Sequence, residues 1–314
     1  MVAIGGITRL TDSGLSMVDW RPIMGSLPPL NQAEWQASFN AYKSSPEYIE
    51  LNNHFTLSDY KGIFWWEFIH RSIGRLLGIV FIIPFIFFVA RKRIKGNLLK
   101  WCLVILSLGA LQGYLGWYMV ESGLFNRPYV SQFRLAIHLS MAFTIISVIW
   151  WVLLMIQNKE RNQSGGGIRA LGLAFFALVC IQIIYGAFVA GLDAGLVHNT
   201  WPLMDGYFIH PASFGMDSLL ANLTENKSGV QFVHRTLGII VFVFGLFLFS
   251  RSRHAFTQTQ KNALTTIAIV VILQFILGIA TLLAGVPLLI AVLHQLGALT
   301  LLLASVRVIY YFKR

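Results

Sequence analysis

Residues 65–90 read WWEFIHRSIGRLLGIVFIIPFIFFVA. The stretch opens on a carboxylate, an imidazole and two guanidiniums (Glu67, His70, Arg71 and Arg75) and then becomes a long apolar run. About 20 apolar residues in a helix cross ~30 Å of hydrocarbon, so this segment predicts a transmembrane helix with polar groups at its head. Working outward, six more stretches have that length and character, near 99–120, 133–156, 168–191, 231–250, 262–285 and 288–311. With 64–90 they make seven predicted spans. Composition agrees: the 314-residue chain is 56% hydrophobic and 12% charged, where a soluble domain carries ~25% charged residues. The expected fold class is all-α and integral to a membrane.

The net charge of +11 gathers in RKRIKGNLLK (91–100), NKERNQSGGGIR (158–169), RSRHAFTQTQK (251–261) and the terminal KR. These occupy alternate loops, which the positive-inside rule places in the cytoplasm or an organelle matrix. Of the acidic residues only Glu160 shares those loops; apart from Glu67 the rest lie in the opposite ones. The basic excess therefore reports orientation, and nucleic acid is excluded as a partner. Cys102 and Cys180 both fall within apolar spans, so neither a disulfide framework nor a CxxC metal or redox site is expected.

The chain is a doubled unit. Asp12, Gly14, Leu15 and Trp20 stand 181 residues before Asp193, Gly195, Leu196 and Trp201. EFIHRSIG (67–74) parallels QFVHRTLG (231–238), LQGYLG (111–116) parallels LQFILG (273–278), and AIHLSMA (136–142) parallels VLHQLGA (292–298). The order is the same in both halves, so the expected architecture is two pseudo-symmetric four-helix bundles in tandem, 1–162 and 163–314. In the second unit the span 168–191 leads directly into LDAGL; only MVAIGGITRL precedes the matching TDSGL. The expectation is eight spans, with most of the first helix missing from this chain.

Two outward loops are long, and each begins with a Pro/Gly-rich turn, WRPIMGSLPPL and WPLMDGYFIHP, that should halt a preceding helix. Trp35, Phe39 and Tyr42 have helical spacing, which predicts a short amphipathic helix lying on the membrane surface.

His70, His138, His234 and His294 each lie four to seven residues inside a span running from outside to inside. At 1.5 Å rise per residue they fall ~6–10 Å below the outer edge. Intramembrane ionisable groups are rare and usually functional, and four at one depth, two per unit, point to heme iron held between facing helices. Arg71, Arg75 and Arg235 are placed to clamp propionates or to snorkel to headgroups. Gly74, Gly78, Gly113, Gly116, Gly238, Gly278 and Gly297 allow close approach of a macrocycle or, equally, of another helix. His198 and His210 read as surface histidines, and His254 as solvated among basic residues.

The repeat breaks at one place. Glu67 precedes His70 by three residues and shares its helical face; its counterpart is Gln231. A carboxylate retained in a membrane span costs solvation energy, so unit one reads as the reaction site and unit two as the electron-supplying one. The plainer reading is an i,i+4 pair with Arg71. A diheme bis-His membrane cytochrome or heme carrier explains the histidines without the Glu67/Gln231 split. A secondary transporter calls for midplane polar groups, whereas these gather near one surface.

GGITRLTDSGLSMVDWRPIMGSLPPL, PEY, FWWEFIHRSIGR, QGYLGWYMVESGL, FRLAIHL, GAFVAGLDAGL, QFVHRTLG and LHQLGA together resemble the heme A synthase family, in its mitochondrial and proteobacterial branch, over essentially the whole chain. The resemblance implies an eight-helix oxidoreductase of the bacterial cytoplasmic membrane or mitochondrial inner membrane. Such an enzyme oxidises the position-8 methyl of heme O to a formyl group, through a hydroxymethyl intermediate, for cytochrome oxidase biogenesis. It implies heme b as cofactor on His234 and His294 with Arg235 beside it. Substrate heme would lie between His70 and His138 with Arg71 and Arg75, and Glu67 would be catalytic, all toward the outer side. Implied partners are heme O, membrane lipid, a heme O synthase, cytochrome oxidase assembly factors and a second copy of the chain. The loop cysteine pair of another branch is absent here.

Overall fold

A computed structural model describes residues 1–18, 27–125, 127–157, 162–163, 167–255 and 257–313. Asp19, Trp20 and the following RPIMG turn, and Glu160 of the 158–169 loop, lie outside the described residues. Among the described residues seven helices are long and apolar enough to cross a membrane: α4 (Leu57–Ala90), α5 (Gly96–Leu124), α6 (Gln132–Ile156), α7 (Ile168–Gly191), α9 (Lys227–Ser250), α10 (Gln258–Leu283) and α11 (Leu288–Tyr311). The remaining helices are short: α1 (Val2–Leu10), α2 (Gln32–Tyr42), α3 (Pro46–Glu50) and α8 (Leu219–Thr224). The seven match the apolar stretches of the sequence, and the chain is an integral membrane protein. Along α4 the side chains of Ile79, Val80, Ile83, Ile86 and Phe87 are all more than half exposed, a surface that only hydrocarbon covers without cost.

Several helices start earlier than hydropathy indicates because polar caps set their ends. Thr56 and Asp59 form a reciprocal capping box at α4. Thr257 and Gln260 do the same at α10, and the Asn226 side chain accepts from Ser228 and Gly229 at α9. Each cap satisfies backbone N–H groups that the first helical turn leaves without partners.

The chain falls into two compact units, Met1–His138 and Leu139–Arg314. In the second, α7 packs on α9, α9 on α10, α10 on α11, and α11 back on α7, a closed four-helix ring. Its interior is apolar, with Phe175, Val179, Leu248, Leu264, Ile267 and Val308 all buried. Where helices approach most closely a glycine stands: a Cβ on Gly245 would meet Val271 Cγ1 at 3.0 Å. A two-residue parallel pairing of β1 (Asn162–Gln163) with β2 (Phe312–Lys313) ties off one end.

In the first unit α1 lies on α4, with the Thr8 hydroxyl reaching the Trp66 carbonyl at 3.4 Å. The helix spans nine residues, ~14 Å at the α-helical rise. The repeat extends to the backbone: Asp12 and Asp193, equivalent in the doubling, are both left-handed, with φ of 47° and 52°. The sequence expectation for α2 is corrected here. Trp35, Phe39 and Tyr42 face Tyr60 and Phe64 of α4 in an aromatic cluster, with Tyr42 stacked on Tyr60 at 5.2 Å. The apolar stripe is spent on protein and none of it is left to lie on a membrane, because three large rings gain more from a matching aromatic surface close by in the chain.

Candidate functional site

In the second unit, α9 and α11 carry His234 and His294 with ring centres 6.4 Å apart and planes at 82°. Two imidazoles sharing one metal at about 2 Å from each donor nitrogen have ring centres ~6 Å apart, so this pair has the spacing of a single shared iron. Nδ1 of each ring is buried without a hydrogen-bond partner, so each imidazole holds an uncommitted nitrogen in a place where polar atoms are normally paired. The residues fit a heme iron.

Outside this pair, Arg235 donates to the carbonyls of His198, Thr200 and Leu203 and to Gln231 Oε1. Gln231 Nε2 adds a bond to the His198 carbonyl at 3.2 Å. Arg235 thus holds the outward loop, and its buried Nε keeps one donor without a partner. His198 proves to be buried, contrary to the surface reading. Its Nδ1 pairs with Asp205 at 2.6 Å and its Nε2 with Ser228 Oγ at 2.9 Å, and that hydrogen bond from His198 holds the Asp205 carboxyl below its ordinary range. The ligand atoms of His198, Asp205 and His210 lie within 4.8 Å of one another. Both His198 nitrogens are already engaged, and His210 Nδ1 accepts from the Ala212 amide at 3.2 Å while its ring lies 4.3 Å from that of His198.

The first unit repeats this loop clamp with different chemistry. Glu67 is buried and accepts from Ser16 Oγ at 2.6 Å and the Met17 amide at 2.8 Å through one oxygen. Its other oxygen takes Arg71, which also donates to the Met17 carbonyl at 3.2 Å. Met17 is the repeat equivalent of His198, so Arg71 and Arg235 grip the same loop carbonyl in each unit. The i,i+4 pair of the plainer sequence reading is present, and the two loop donors are added to it. Arg71 also lines a cavity of about 210 Å³ together with Met17, Val18, Trp117, Val120 and Glu121. Arg75 follows one turn along α4, half-buried.

His70 on α4 and His138 on α6 belong to this same unit. His138 is the seventh residue of its helix, as is His294, while His70 is the fourteenth because α4 begins two turns earlier. His70 Nδ1, like its counterparts in the second unit, is buried without a partner.

Between α2 and α3 a titratable pair lies apart from the spans. Burial pushes the Glu47 carboxyl up to about 8, against the opposing hydrogen bond from Tyr42. Tyr42 Oη donates to it at 2.9 Å, and burial raises that phenol as well. A carboxyl whose folded pKa exceeds its unfolded one contributes stability that is full below the unfolded value and lost as pH rises through the folded one. Between about pH 6.5 and about pH 9, hydrogen exchange of α2 and α3 amides should therefore accelerate ~10-fold beyond the intrinsic rate change. The Glu47→Gln protein should show no such step; the same step in both proteins would remove Glu47 as its cause.

Gln112, Gln182 and Gln274 were not singled out by sequence reading, and neither were Gly5 and Gly186. Each contacts one of the four histidines. The signal was present in LQGYLG and LQFILG, where a glutamine precedes a glycine by four residues, and it recurs in QIIYG (182–186). Cys102 and Cys180 are both free and half-buried.

Comparison with known proteins supplies the family. A family model described as cytochrome oxidase assembly protein matches residues 1–306. A protein of Flavobacterium johnsoniae named heme A synthase is 50% identical over 310 residues, covering 97% of this chain and 91% of that protein. Its namesakes in Flavobacterium psychrophilum and Nitrosospira multiformis are 47% and 44% identical, covering all of this chain and 94% and 90% of their own lengths. From end to end, then, the chain belongs to the cytochrome oxidase assembly family that contains these heme A synthases.

Proposed function

We propose that this protein is a heme A synthase, an oxidoreductase that converts the position-8 methyl of heme O to a formyl group through a hydroxymethyl intermediate. The observation that carries the reading is the split between two otherwise equivalent loop clamps. One is built on a buried carboxylate, Glu67, and the other on its neutral isostere, Gln231. Resident heme b is assigned to the 163–314 half on His234 and His294, and substrate to the 1–162 half between His70 and His138. Both lie toward the periplasmic side of a bacterial cytoplasmic membrane. Heme b, when bound, supplies one-electron transfer.

The chain's own residues do the rest. Glu67 is a fixed negative charge whose orientation is set by Ser16, the Met17 amide and Arg71. With those donors on its lone pairs it is suited to stabilising positive charge developing at the methyl carbon. Arg75 and Arg235 are the residues assigned to propionates. The names of the relatives and the shared-iron spacing of His234 and His294 support this reading. Heme O would come from a heme O synthase, the product would pass to cytochrome oxidase assembly factors, and the chain would work in lipid as a homo-oligomer.

The test is the identity of heme extracted from protein co-expressed with a heme O synthase, by chromatography and mass. Heme A or its hydroxymethyl precursor beside heme b is the expected result. Heme b alone would replace this reading with that of a membrane cytochrome.

A further inference from the structure

Each of the four histidines lies against a glycine of the neighbouring helix. A Cβ on Gly5, Gly116, Gly186 or Gly278 would meet Cε1 of His70, His138, His234 or His294 at 2.9, 3.0, 3.3 and 2.9 Å. Real Cβ contacts are seldom that short, so these imidazoles occupy space that only glycine leaves open. Four residues before three of these glycines, one helical turn away, stands a glutamine that reaches back across the same helix pair. Gln112, Gln182 and Gln274 donate through Nε2 to the carbonyls of His138, His234 and His294 at 3.2, 3.1 and 2.9 Å. A helical carbonyl has two lone pairs, and the helix uses one of them.

The notch is reciprocal in the second unit. A Cβ on Gly238, one turn after His234, would meet Gln182 Nε2 at 3.4 Å, and one on Gly297, just past His294, would meet Gln274 Oε1 at 2.0 Å. So histidine enters a glycine notch on one helix while glutamine enters a notch on the other, and the hydrogen bond locks the register. At the fourth crossing Met1 takes the corresponding place, its Cε 3.4 Å from a Cβ built on Gly74.

Resting on the heme reading above, we infer that Gln112, Gln182 and Gln274 are positioning residues. They fix the height of the histidines through the backbone of each, and Gln112 and Gln182 also meet the ring itself, with Gln112 Nε2 at 3.2 Å from His138 Nδ1 and 3.3 Å from its Nε2, and Gln182 Nε2 at 3.5 Å from His234 Nε2. An imidazole plane is otherwise free to turn about χ2, and axial-ligand orientation is one of the protein's means of tuning a heme. The orphaned Oε1 of all three glutamines shows that these amides are kept for their donor, since each leaves its acceptor unpaired in a buried place.

The experiment uses the full chain, purified with its heme, carrying Gln182→Met, Gln274→Met or Gln112→Met. Methionine keeps the length and loses the donor, and Met1 on Gly74 shows that it fits such a notch. Expected for the first two is a resident heme bound about 10-fold more weakly, with shifted low-spin EPR g values. Expected for Gln112→Met is an unchanged resident-heme spectrum and a raised KM for heme O. A merely structural role would not divide by half in this way. Should the Met variants fail to accumulate, Gln274→Asn, still a donor but too short to reach, carries the same readout. Unchanged g values and heme affinity in the unit-two variants, with a normal bis-imidazole wild type, would overturn this inference alone. A wild type lacking that spectrum would overturn the heme assignment first.

Discussion

Glu67→Gln should abolish heme A formation while leaving the protein folded and loaded with heme b. The fold already uses the substituted arrangement: in the second unit Gln231 accepts from Arg235 through Oε1 and donates to the loop carbonyl through Nε2. Glutamine at position 67 can copy that pattern with Arg71 and Met17. What it cannot supply is the charge, nor an acceptor for both Ser16 Oγ and the Met17 amide. Losing a preorganised electrostatic partner costs ~10²–10³-fold in turnover, so heme O and at most traces of the hydroxymethyl product should accumulate. Glu67→Ala is the contrasting case. It leaves the buried Arg71 guanidinium without its carboxylate, and breaking a buried pair from one side costs ~3–5 kcal/mol, so lower protein yield should accompany its lost activity. The check is the heme profile and the heme b to protein ratio of each variant. A Glu67→Gln protein that still makes heme A at the wild-type rate would end the catalytic role.

The second large effect is a division of heme content by half of the chain. His234→Ala or His294→Ala should lower resident heme by ~100-fold in affinity, since each removes one of two ligands. His70→Ala or His138→Ala should leave resident heme b intact and remove conversion of heme O. Measured as heme b per chain, the wild type should hold one, the unit-two variants almost none, and the unit-one variants one. A diheme cytochrome gives a different pattern, in which all four substitutions reduce the ratio. The spacing that motivates the assignment is the 6.4 Å between the His234 and His294 rings. That distance is what one shared metal atom would require of two side chains 60 positions apart.

The spans, the doubling and the four histidines were all legible in one dimension. Apolar length and charge are additive properties of a segment, and a tandem repeat is visible wherever two copies keep the same order. The Glu67/Gln231 split was legible for the same reason, as a difference between aligned phrases. Other features depended on what approaches from elsewhere in the chain. The stripe of α2 could face a membrane or a protein, and only the presence of Tyr60 and Phe64 opposite decided it. His198 has the neighbours of a surface residue in sequence, yet Asp205 and Ser228 enclose it. Arg71 and Arg235 read as propionate clamps, and folding also engages each with a loop carbonyl, Arg71 with Glu67 besides.

The glycines mark the boundary most clearly. Taken singly, Gly116 and Gly278 look no different from Gly78 or Gly113, and only the glutamine four residues earlier marks them. With a Cβ added, Gly78 and Gly113 would meet nothing within 4 Å, while Gly116 and Gly278 would collide with a histidine ring. What the sequence by itself determined is the membrane fold, its duplication and the identity of the polar groups, because each is a property of a segment or of the spacing between segments. Which of those groups meet was decided only by tertiary structure, because a helix pair brings together residues whose separation along the chain carries no trace of their distance in space.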